Sequence, residues 1–409
     1  MAKGGRFPCF DGLRALAAVS VVVVHTAFSS GFSFRSAYGS YTARAEIGVS
    51  VFFLISGFLL YRPMASAHLA GRPSPSPRRF LARRALRIVP AYWLALTVLA
   101  FGLHWLSLGR PVDALQYYGF AQIYSRTHVL GGISQAWSLC TEVSFYLFLP
   151  LYGALLACGR RDRTARRQLG LELAGLAALI GTSAGFRAWI FIGRPRLADQ
   201  MAVWLPSYLD LFALGMALAV MSAWWTEHAE EPDVLRHKAQ PAVAWVLAAA
   251  LYWLVSHAGL PITPLYRATY AQSIVRQELY GLFALCLLAP AVFGPQDQGL
   301  VRGLLRWRPV AAVGVVSYGV YLWHQAFVSA LLGWAHRPIF GLPMHFLLPA
   351  TLGLASAAAA VSYLLVERLF LRLKPRRARL DLAPAEGVDA DGAMGDGVEA
   401  ELVPALVSS

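Results

Sequence analysis

Ten long apolar stretches constrain the fold of this chain more than any other feature of its sequence. Seven are clear, at residues 13–28, 93–106, 139–158, 242–255, 279–293, 310–323 and 346–366, and three weaker ones lie at 48–61, 169–192 and 203–223. Several approach or reach the ~20 residues with which an α-helix crosses a bilayer. With 57% hydrophobic and 14% charged residues, the chain has more apolar surface than a water-soluble domain can bury. We therefore predict an all-α, polytopic transmembrane helix bundle of about ten spans.

The basic residues indicate which side of the membrane the loops occupy. Of the 36 lysines and arginines, 26 lie in six segments: 1–14, 62–87, 160–167, 236–238, 302–308 and 368–379. These segments adjoin alternate ends of the predicted spans, and loops rich in basic residues stay in the cytoplasm. We therefore predict a multi-pass plasma (inner) membrane protein with both termini cytoplasmic. The net charge of +14 is attributed to contact with anionic membrane lipid, and no nucleic-acid partner is expected.

The chain divides into a transmembrane domain, residues 1–374, and a tail, residues 375–409. The tail contains seven acidic residues and no aromatic residue, a composition that predicts disorder. The four cysteines are scattered without the spacing of metal ligands, so neither a disulfide framework nor a metal site is expected.

The first apolar segment holds two ionisable residues, Arg14 and His25. They are eleven positions apart, which in a helix is ~16 Å along the axis and nearly the same face. With Arg14 at the inner interface, His25 lies near the middle of the ~30 Å hydrocarbon core, where ionisable groups are costly and usually functional. Residues 21–24 are all valine, so nothing nearby in sequence is expected to satisfy the ring. The alternatives are that Arg14 reaches the lipid headgroups and that His25 is an interhelical hydrogen-bonding group.

Two further clusters accompany the second and third apolar segments. Ser56–Gly57 interrupts an aliphatic and aromatic run, which favours close helix packing over a local break beside a ligand. Arg83, Arg84 and Arg87 precede the third segment, where a basic cytoplasmic flank is the simplest interpretation. Arg84 and Arg87 are three residues apart, however, so they share one helix face and can together bind phosphate.

Two clusters lie in later spans. Glu142 enters an apolar helix just after Trp137 and Ser138, and a carboxylate at that depth needs a partner or a water-filled cavity. Its structural alternative is a hydrogen-bond acceptor toward a neighbouring helix. The ninth span carries a stripe at three-residue spacing that ends in Tyr321 and His324. A packed core stripe and a functional stripe are equally compatible with that spacing.

The sequence resembles the membrane acyltransferase-3 family, whose members carry a first-helix arginine and histidine separated by ten residues, as Arg14 and His25 are. The resemblance continues through motifs in family order: FFLISGFL at 52–59, RRALRIVPAY at 83–92, WSLCTE at 137–142, SYGVYLWHQ at 317–325 and VER at 366–368. Cys140 departs from the pattern, because members often have a small polar residue there, and no proline follows VER. Nothing after Glu367 has the length or apolarity of an appended hydrolase-like domain, so a stand-alone bacterial transferase is expected.

This resemblance implies transfer of an acyl group, acetyl or another short acyl, from acyl-CoA to a hydroxyl. The acceptor it implies is a carbohydrate, a cell-envelope glycan or a glycosylated secondary metabolite. His25 is then the general base that removes the hydroxyl proton. Glu142 either holds His25 in the required tautomer or binds the acceptor. Acyl-CoA is a co-substrate, and no permanently bound cofactor is expected.

The remaining polar residues receive binding roles under the same resemblance. Cationic side chains assigned to the CoA phosphates are Arg14, Arg84 and Arg87. Side chains assigned to the substrate pocket are Ser56, Trp137, Ser138, Tyr321 and His324. The alternative function is a proton-coupled transporter or exporter of a glycolipid or metabolite, in which His25 and Glu142 relay protons. The sequence shows no internal repeat, which weakens a transporter built on inverted repeats.

Overall fold

The structure is a computed structural model and describes residues 7–159, 163–262 and 268–372. Within these ranges the chain is helical and contains no β-strand. Its ten longest helices, named in chain order, are α1 Phe10–Ser29, α2 Ile47–Leu69, α3 Pro77–Thr97, α4 Trp137–Ala157, α5 Ala165–Ala188, α6 Leu209–Glu227, α7 Gln240–His257, α8 Tyr270–Val292, α9 Arg308–Trp334 and α10 Met344–Ser362. Each overlaps one of the ten apolar stretches, so the predicted helical bundle is confirmed.

Nine of the described helices are long and apolar enough to cross a membrane. The exception among the ten is α7, which covers the predicted span 242–255 but has only 18 residues, including polar ones at both ends. Nine of the ten predicted spans therefore meet this measure of length and composition within the described residues. The cytoplasmic placement of the termini stays a prediction, and the tail predicted for residues 375–409 lies outside the described residues.

Several helices are longer than the apolar stretches that predicted them. α3 begins at Pro77, well before the stretch at 93–106, and has proline in its first turn, where a missing N–H costs nothing. Arg84 and Arg87 therefore lie within this helix, about two and three turns after its start. α3, α5 and α10 each run on into a single π-helical turn, and these turns are Val98–Gly102, Trp189–Gly193 and Tyr363–Glu367.

Glycine allows α2 and α6 to pack closely. A Cβ at Gly57 of α2 would overlap the backbone carbonyl oxygen of Phe212, and one at Gly215 of α6 would overlap that of Leu54. Small residues of this kind let membrane helices approach backbone to backbone. The predicted role of Ser56–Gly57 in close packing is confirmed, because α2 continues through both residues without a break.

Five helices meet on one side of the bundle. α1 packs against α2 and α9, while α3 packs against α4, α9 and the π-helical turn Tyr363–Glu367. α4 also contacts α2. These contacts bring segments that are distant in sequence around one internal space.

Candidate active site

A cavity lies between α1, α2, α3, α4 and α9. Its volume is about 100 Å³, below the ~300–1,000 Å³ of sites that enclose a whole drug-sized ligand. Seven of the ten residues assigned to the site from sequence line it: Arg14, Ser56, Arg84, Arg87, Ser138, Glu142 and Tyr321. The three that do not line it are His25, Trp137 and His324.

Three guanidinium groups and one carboxylate are on the cavity wall. Arg14 forms an ion pair with Asp11, one helical turn earlier, with Nη1 and Oδ1 2.8 Å apart. Among the described residues Arg84 and Arg87 form no ion pair, and the buried Nε of Arg84 has no hydrogen-bond partner. Each guanidinium presents up to five N–H donors. The cavity therefore offers unused donors and positive charge to an anionic ligand.

Glu142 is held by hydroxyl groups. Its Oε1 accepts a hydrogen bond from the Ser56 hydroxyl and another from the Tyr146 hydroxyl at 2.6 Å. Tyr146 lies four residues after Glu142 on α4, so the helix itself aligns this pair. The ring of His25 has other partners, which means that this structure does not support the option that Glu142 holds His25 in its tautomer.

His25 is paired instead with His324. His25 Nδ1 lies 3.1 Å from His324 Nε2 and 2.9 Å from the carbonyl oxygen of Val21. His324 Nδ1 lies 2.8 Å from the carbonyl oxygen of Tyr321. The expectation that nothing nearby in sequence satisfies His25 is therefore wrong, because the carbonyl one turn earlier is in reach.

These contacts indicate which nitrogen of each ring carries the proton. A carbonyl oxygen only accepts hydrogen bonds, so we place a proton on Nδ1 of His25 and on Nδ1 of His324. Neutral His324 then has its lone pair on Nε2, where it accepts a share of the His25 Nδ1–H. The lone pair of neutral His25 is on Nε2, which has no hydrogen-bond partner among the described residues. In this state His25 can accept a proton, and its tautomer is set by the Val21 carbonyl together with His324.

A chain of hydrogen bonds links the cavity to a second one. The Ser138 and Tyr321 hydroxyls lie 2.6 Å apart, and the Tyr321 hydroxyl donates to the backbone carbonyl of Gln135 at 2.6 Å. Gln135 also lines the second cavity, of about 410 Å³, together with Trp105, Gln325 and Trp334. The backbone carbonyl of Tyr321 accepts a hydrogen bond from Gln135 Nε2 at 3.0 Å as well as one from His324 Nδ1, so Gln135 connects the histidine pair to this chain.

Trp137 lies outside both cavities, with its ring centroid 5.7 Å from that of Tyr208. Its assignment to the substrate pocket stays a prediction, as do the chemical roles of His25 and His324. The sequence interpretation assigned no role to Asp11, Gln135 or Tyr146. Helical spacing could have indicated Asp11, three residues before Arg14, and Tyr146, four residues after Glu142. No sequence signal indicates Gln135, because its partners belong to α9.

The fold is that of an integral membrane protein whose helix bundle encloses a cavity lined by three arginines and contains a pair of histidines in contact. Residues 7–367 match the family model Acyl_transf_3, described as an acyltransferase domain. The chain therefore belongs to the acyltransferase-3 family, and it is a multi-pass bacterial membrane acyltransferase that transfers groups other than aminoacyl groups. The resemblance inferred from the motifs is confirmed.

Curated relatives are similar over most of this chain. Acyltransferase MdmB of Streptomyces mycarofaciens is 28% identical, covering 94% of this chain and 96% of the relative. Exopolysaccharide production protein ExoZ of Rhizobium meliloti is 26% identical, over 82% of this chain and 93% of the relative. O-acetyltransferase OatA of Staphylococcus aureus is 24% identical over 88% of this chain, which spans only 56% of that relative. No solved structure matches the chain.

Proposed function

We propose that this protein moves a short acyl group from acyl-CoA to a hydroxyl of a carbohydrate, a cell-envelope glycan or a glycosylated metabolite. The observation that carries the proposal is the convergence of Arg14, Arg84 and Arg87 on one cavity, with donors of Arg84 unused. The names of ExoZ and OatA, which refer to exopolysaccharide production and O-acetyl transfer, support a hydroxylated glycan as acceptor.

The donor fits the charge and the size of the first cavity. CoA carries phosphate groups at one end of a long flexible arm and the thioester at the other, and arginine binds phosphate through pairs of N–H donors. A cavity of about 100 Å³ suits a short acyl chain and the end of the arm rather than the nucleotide. In this proposal the phosphates bind the guanidinium groups while the thioester enters the cavity.

His25 supplies the base for the acyl transfer. Its Nε2 accepts the proton of the acceptor hydroxyl as the hydroxyl oxygen attacks the thioester carbonyl carbon. The C–S bond breaks, the ester forms, and the CoA thiolate takes the proton from His25 Nε2 and leaves as free thiol. The positive charge that His25 carries in between strengthens the hydrogen bond from its Nδ1–H to His324 Nε2. His324 is thus a positioning residue that stabilises the protonated base.

The second cavity is suited to the acceptor. The rings of Trp105 and Trp334 are 5.9 Å apart and both face it. The buried Oε1 of Gln325 has no hydrogen-bond partner among the described residues, so it is available to a hydroxyl. A wall with aromatic surface and a few polar groups is typical of small-molecule sites. Acceptor and donor then approach the histidine pair from different cavities.

Transfer of radiolabelled acetyl groups by the purified protein in nanodiscs tests this function. Acetyl-CoA labelled in the acyl group is incubated with a glycan extract, and only label on the glycan is counted. We expect transfer by the wild type, none by His25→Ala, and a higher acetyl-CoA requirement for Arg87→Ala.

Two variants serve as matched controls. His257→Ala removes another histidine whose Nδ1 contacts a carbonyl one turn earlier, that of Trp253 at 2.8 Å, but which lines neither cavity. Arg83→Ala removes a neighbouring arginine that does not line the first cavity. Both should behave as wild type. Equal transfer by the wild type and His25→Ala would contradict the proposed base, and no transfer from any short-chain acyl-CoA would contradict the donor.

A further inference from the structure

A second cluster of polar residues lies away from the arginine-lined cavity, around the buried carboxylate of Glu172 on α5. Its Oε2 accepts a hydrogen bond from the Tyr61 hydroxyl, and its Oε1 lies 3.1 Å from Gln168 Nε2 and 2.7 Å from His68 Nδ1. Arg163 donates to the Gln168 amide oxygen at 3.3 Å, which turns the NH₂ of that amide toward Glu172. All three neighbours of the carboxylate are therefore donors, as an ionised carboxylate requires.

The hydrogen bond to Glu172 fixes the tautomer of His68. Because the ionised carboxylate only accepts, the proton of neutral His68 is on Nδ1 and the lone pair is on Nε2. That Nε2 lies 3.1 Å from the hydroxyl oxygen of Ser74. The hydroxyl of Ser74 thus donates to a base that is itself oriented by a carboxylate. This arrangement of hydroxyl, base and carboxylate activates a serine nucleophile.

Exposure differs sharply along this chain of hydrogen bonds. The side chains of His68 and Glu172 are 0% exposed, whereas Ser74 is exposed on the loop between α2 and α3. Pro73 and Pro75 flank Ser74 and restrict its backbone. The base and its orienting group are therefore held inside the bundle, while the residue that carries the hydroxyl is exposed.

The surroundings of Ser74 favour an anionic substrate. Arg78 and Arg79 are exposed on the first turn of α3, while Arg72 on the same loop is ion-paired with Glu227 at 2.8 Å. α3 begins three residues after Ser74, and its first N–H groups have no side-chain cap. Such free N–H groups and the positive end of the helix dipole favour negative charge, including that of a carbonyl oxygen under attack.

We propose that Ser74, His68 and Glu172 form a second, solvent-facing nucleophilic site that hydrolyses anionic acyl thioesters through an acyl-serine. Ser74 Oγ attacks the carbonyl carbon and its proton passes to His68 Nε2. The C–S bond breaks, and the thiolate takes that proton and leaves as free thiol. Water then attacks the ester in the same way, His68 returns the proton to Ser74 Oγ, and the carboxylic acid is released. This site is independent of the function proposed for the first cavity.

Labelling with a fluorophosphonate probe tests the nucleophile directly. The full chain in nanodiscs is incubated with the probe, and modified peptides are quantified by mass spectrometry over time. Ser76 is the internal control, since it is exposed on the same loop and its hydroxyl has no hydrogen-bond partner among the described residues. We expect Ser74 to be labelled at least about 100-fold faster than Ser76, the lower range for a positioned general base. Equal rates at the two serines would overturn the proposal.

Three variants separate the roles of the residues. Ser74→Ala should remove the label and Ser76→Ala should leave it unchanged. His68→Asn keeps a side-chain N–H toward Glu172 but has no ring nitrogen near Ser74, so labelling of Ser74 should slow about 100-fold. Unchanged labelling of Ser74 in His68→Asn contradicts the proposed base. If that variant does not fold, the comparison of Ser74 with Ser76 in the wild type still decides.

Discussion

Replacing His324 with phenylalanine tests how the histidine pair works. The ring remains, so the packing of this buried position on α9 changes little, but the Nε2 acceptor 3.1 Å from His25 Nδ1 is lost. Neutral His25 still has the Val21 carbonyl as a hydrogen-bond partner. Protonated His25 loses the second acceptor that shares its Nδ1–H.

The size of the effect follows from the charge on that hydrogen bond. A hydrogen bond to a charged group contributes about 1.5–3 kcal/mol. Because the charge on His25 develops only during the reaction, this loss raises the barrier and leaves donor binding unchanged. The expected fall in kcat is about 10- to 160-fold, from the factor of ten per 1.36 kcal/mol, with little change in KM for acetyl-CoA.

Steady-state transfer kinetics separate this effect from a structural one. His324→Gln restores an acceptor oxygen near the position of Nε2 and should recover part of the lost kcat. His257→Phe provides the matched control, and thermal unfolding of each variant in nanodiscs reports on folding. A wild-type kcat in folded His324→Phe would refute the role of His324, as would a loss that appears only in KM.

Three other substitutions have defined outcomes. Arg84→Met keeps much of the side-chain volume but removes the charge. KM for acetyl-CoA should therefore rise about 10- to 100-fold with a small change in kcat. An unchanged KM in steady-state kinetics would argue against phosphate binding by Arg84. Trp334→Ala should raise KM for the glycan about 2- to 13-fold and leave that for acetyl-CoA unchanged, and the reverse pattern would contradict the acceptor cavity. Gly215→Leu should lower the thermal unfolding temperature, since overpacking costs about 1–3 kcal/mol or more, whereas Gly170→Leu, with open space around its Cβ, should not.

The helices could be predicted because the apolar stretches record directly which segments are buried in lipid or protein. Their ends were harder to place. The arginines before residue 93 mark a polar segment, yet α3 begins at Pro77, because arginine is a good helix former and can line an internal cavity. α7 matched an apolar stretch although it is not among the nine helices long and apolar enough to cross a membrane.

The candidate site was only partly visible in the sequence. Arg14 and Glu142 were identified because charge within an apolar segment is costly, and Arg84 because it shares a helix face with Arg87. All three line one cavity. Which groups contact one another depends on helix packing, which local spacing does not specify. The partner of His25 is accordingly His324, from a helix about 300 residues away in sequence, and not Glu142.

Triads formed across helices are hidden from sequence for the same reason. Ser74 and His68 are six residues apart, but their relation depends on Glu172, which is 104 residues beyond His68. Taken alone, the prolines of this loop indicate only a break between two helices. Their position next to Ser74 becomes relevant to function because the buried His68 ring faces the Ser74 hydroxyl.

The central claim is that the arginines of the first cavity bind the phosphates of the donor, and equilibrium binding of two thioesters tests it most directly. S-Acetylpantetheine has the same arm and thioester as acetyl-CoA but no phosphate. We predict that the wild type binds acetyl-CoA much more tightly, and that the double variant Arg84→Met/Arg87→Met binds the two alike, near the wild-type affinity for S-acetylpantetheine. A preference for acetyl-CoA that survives in the folded double variant would contradict the account.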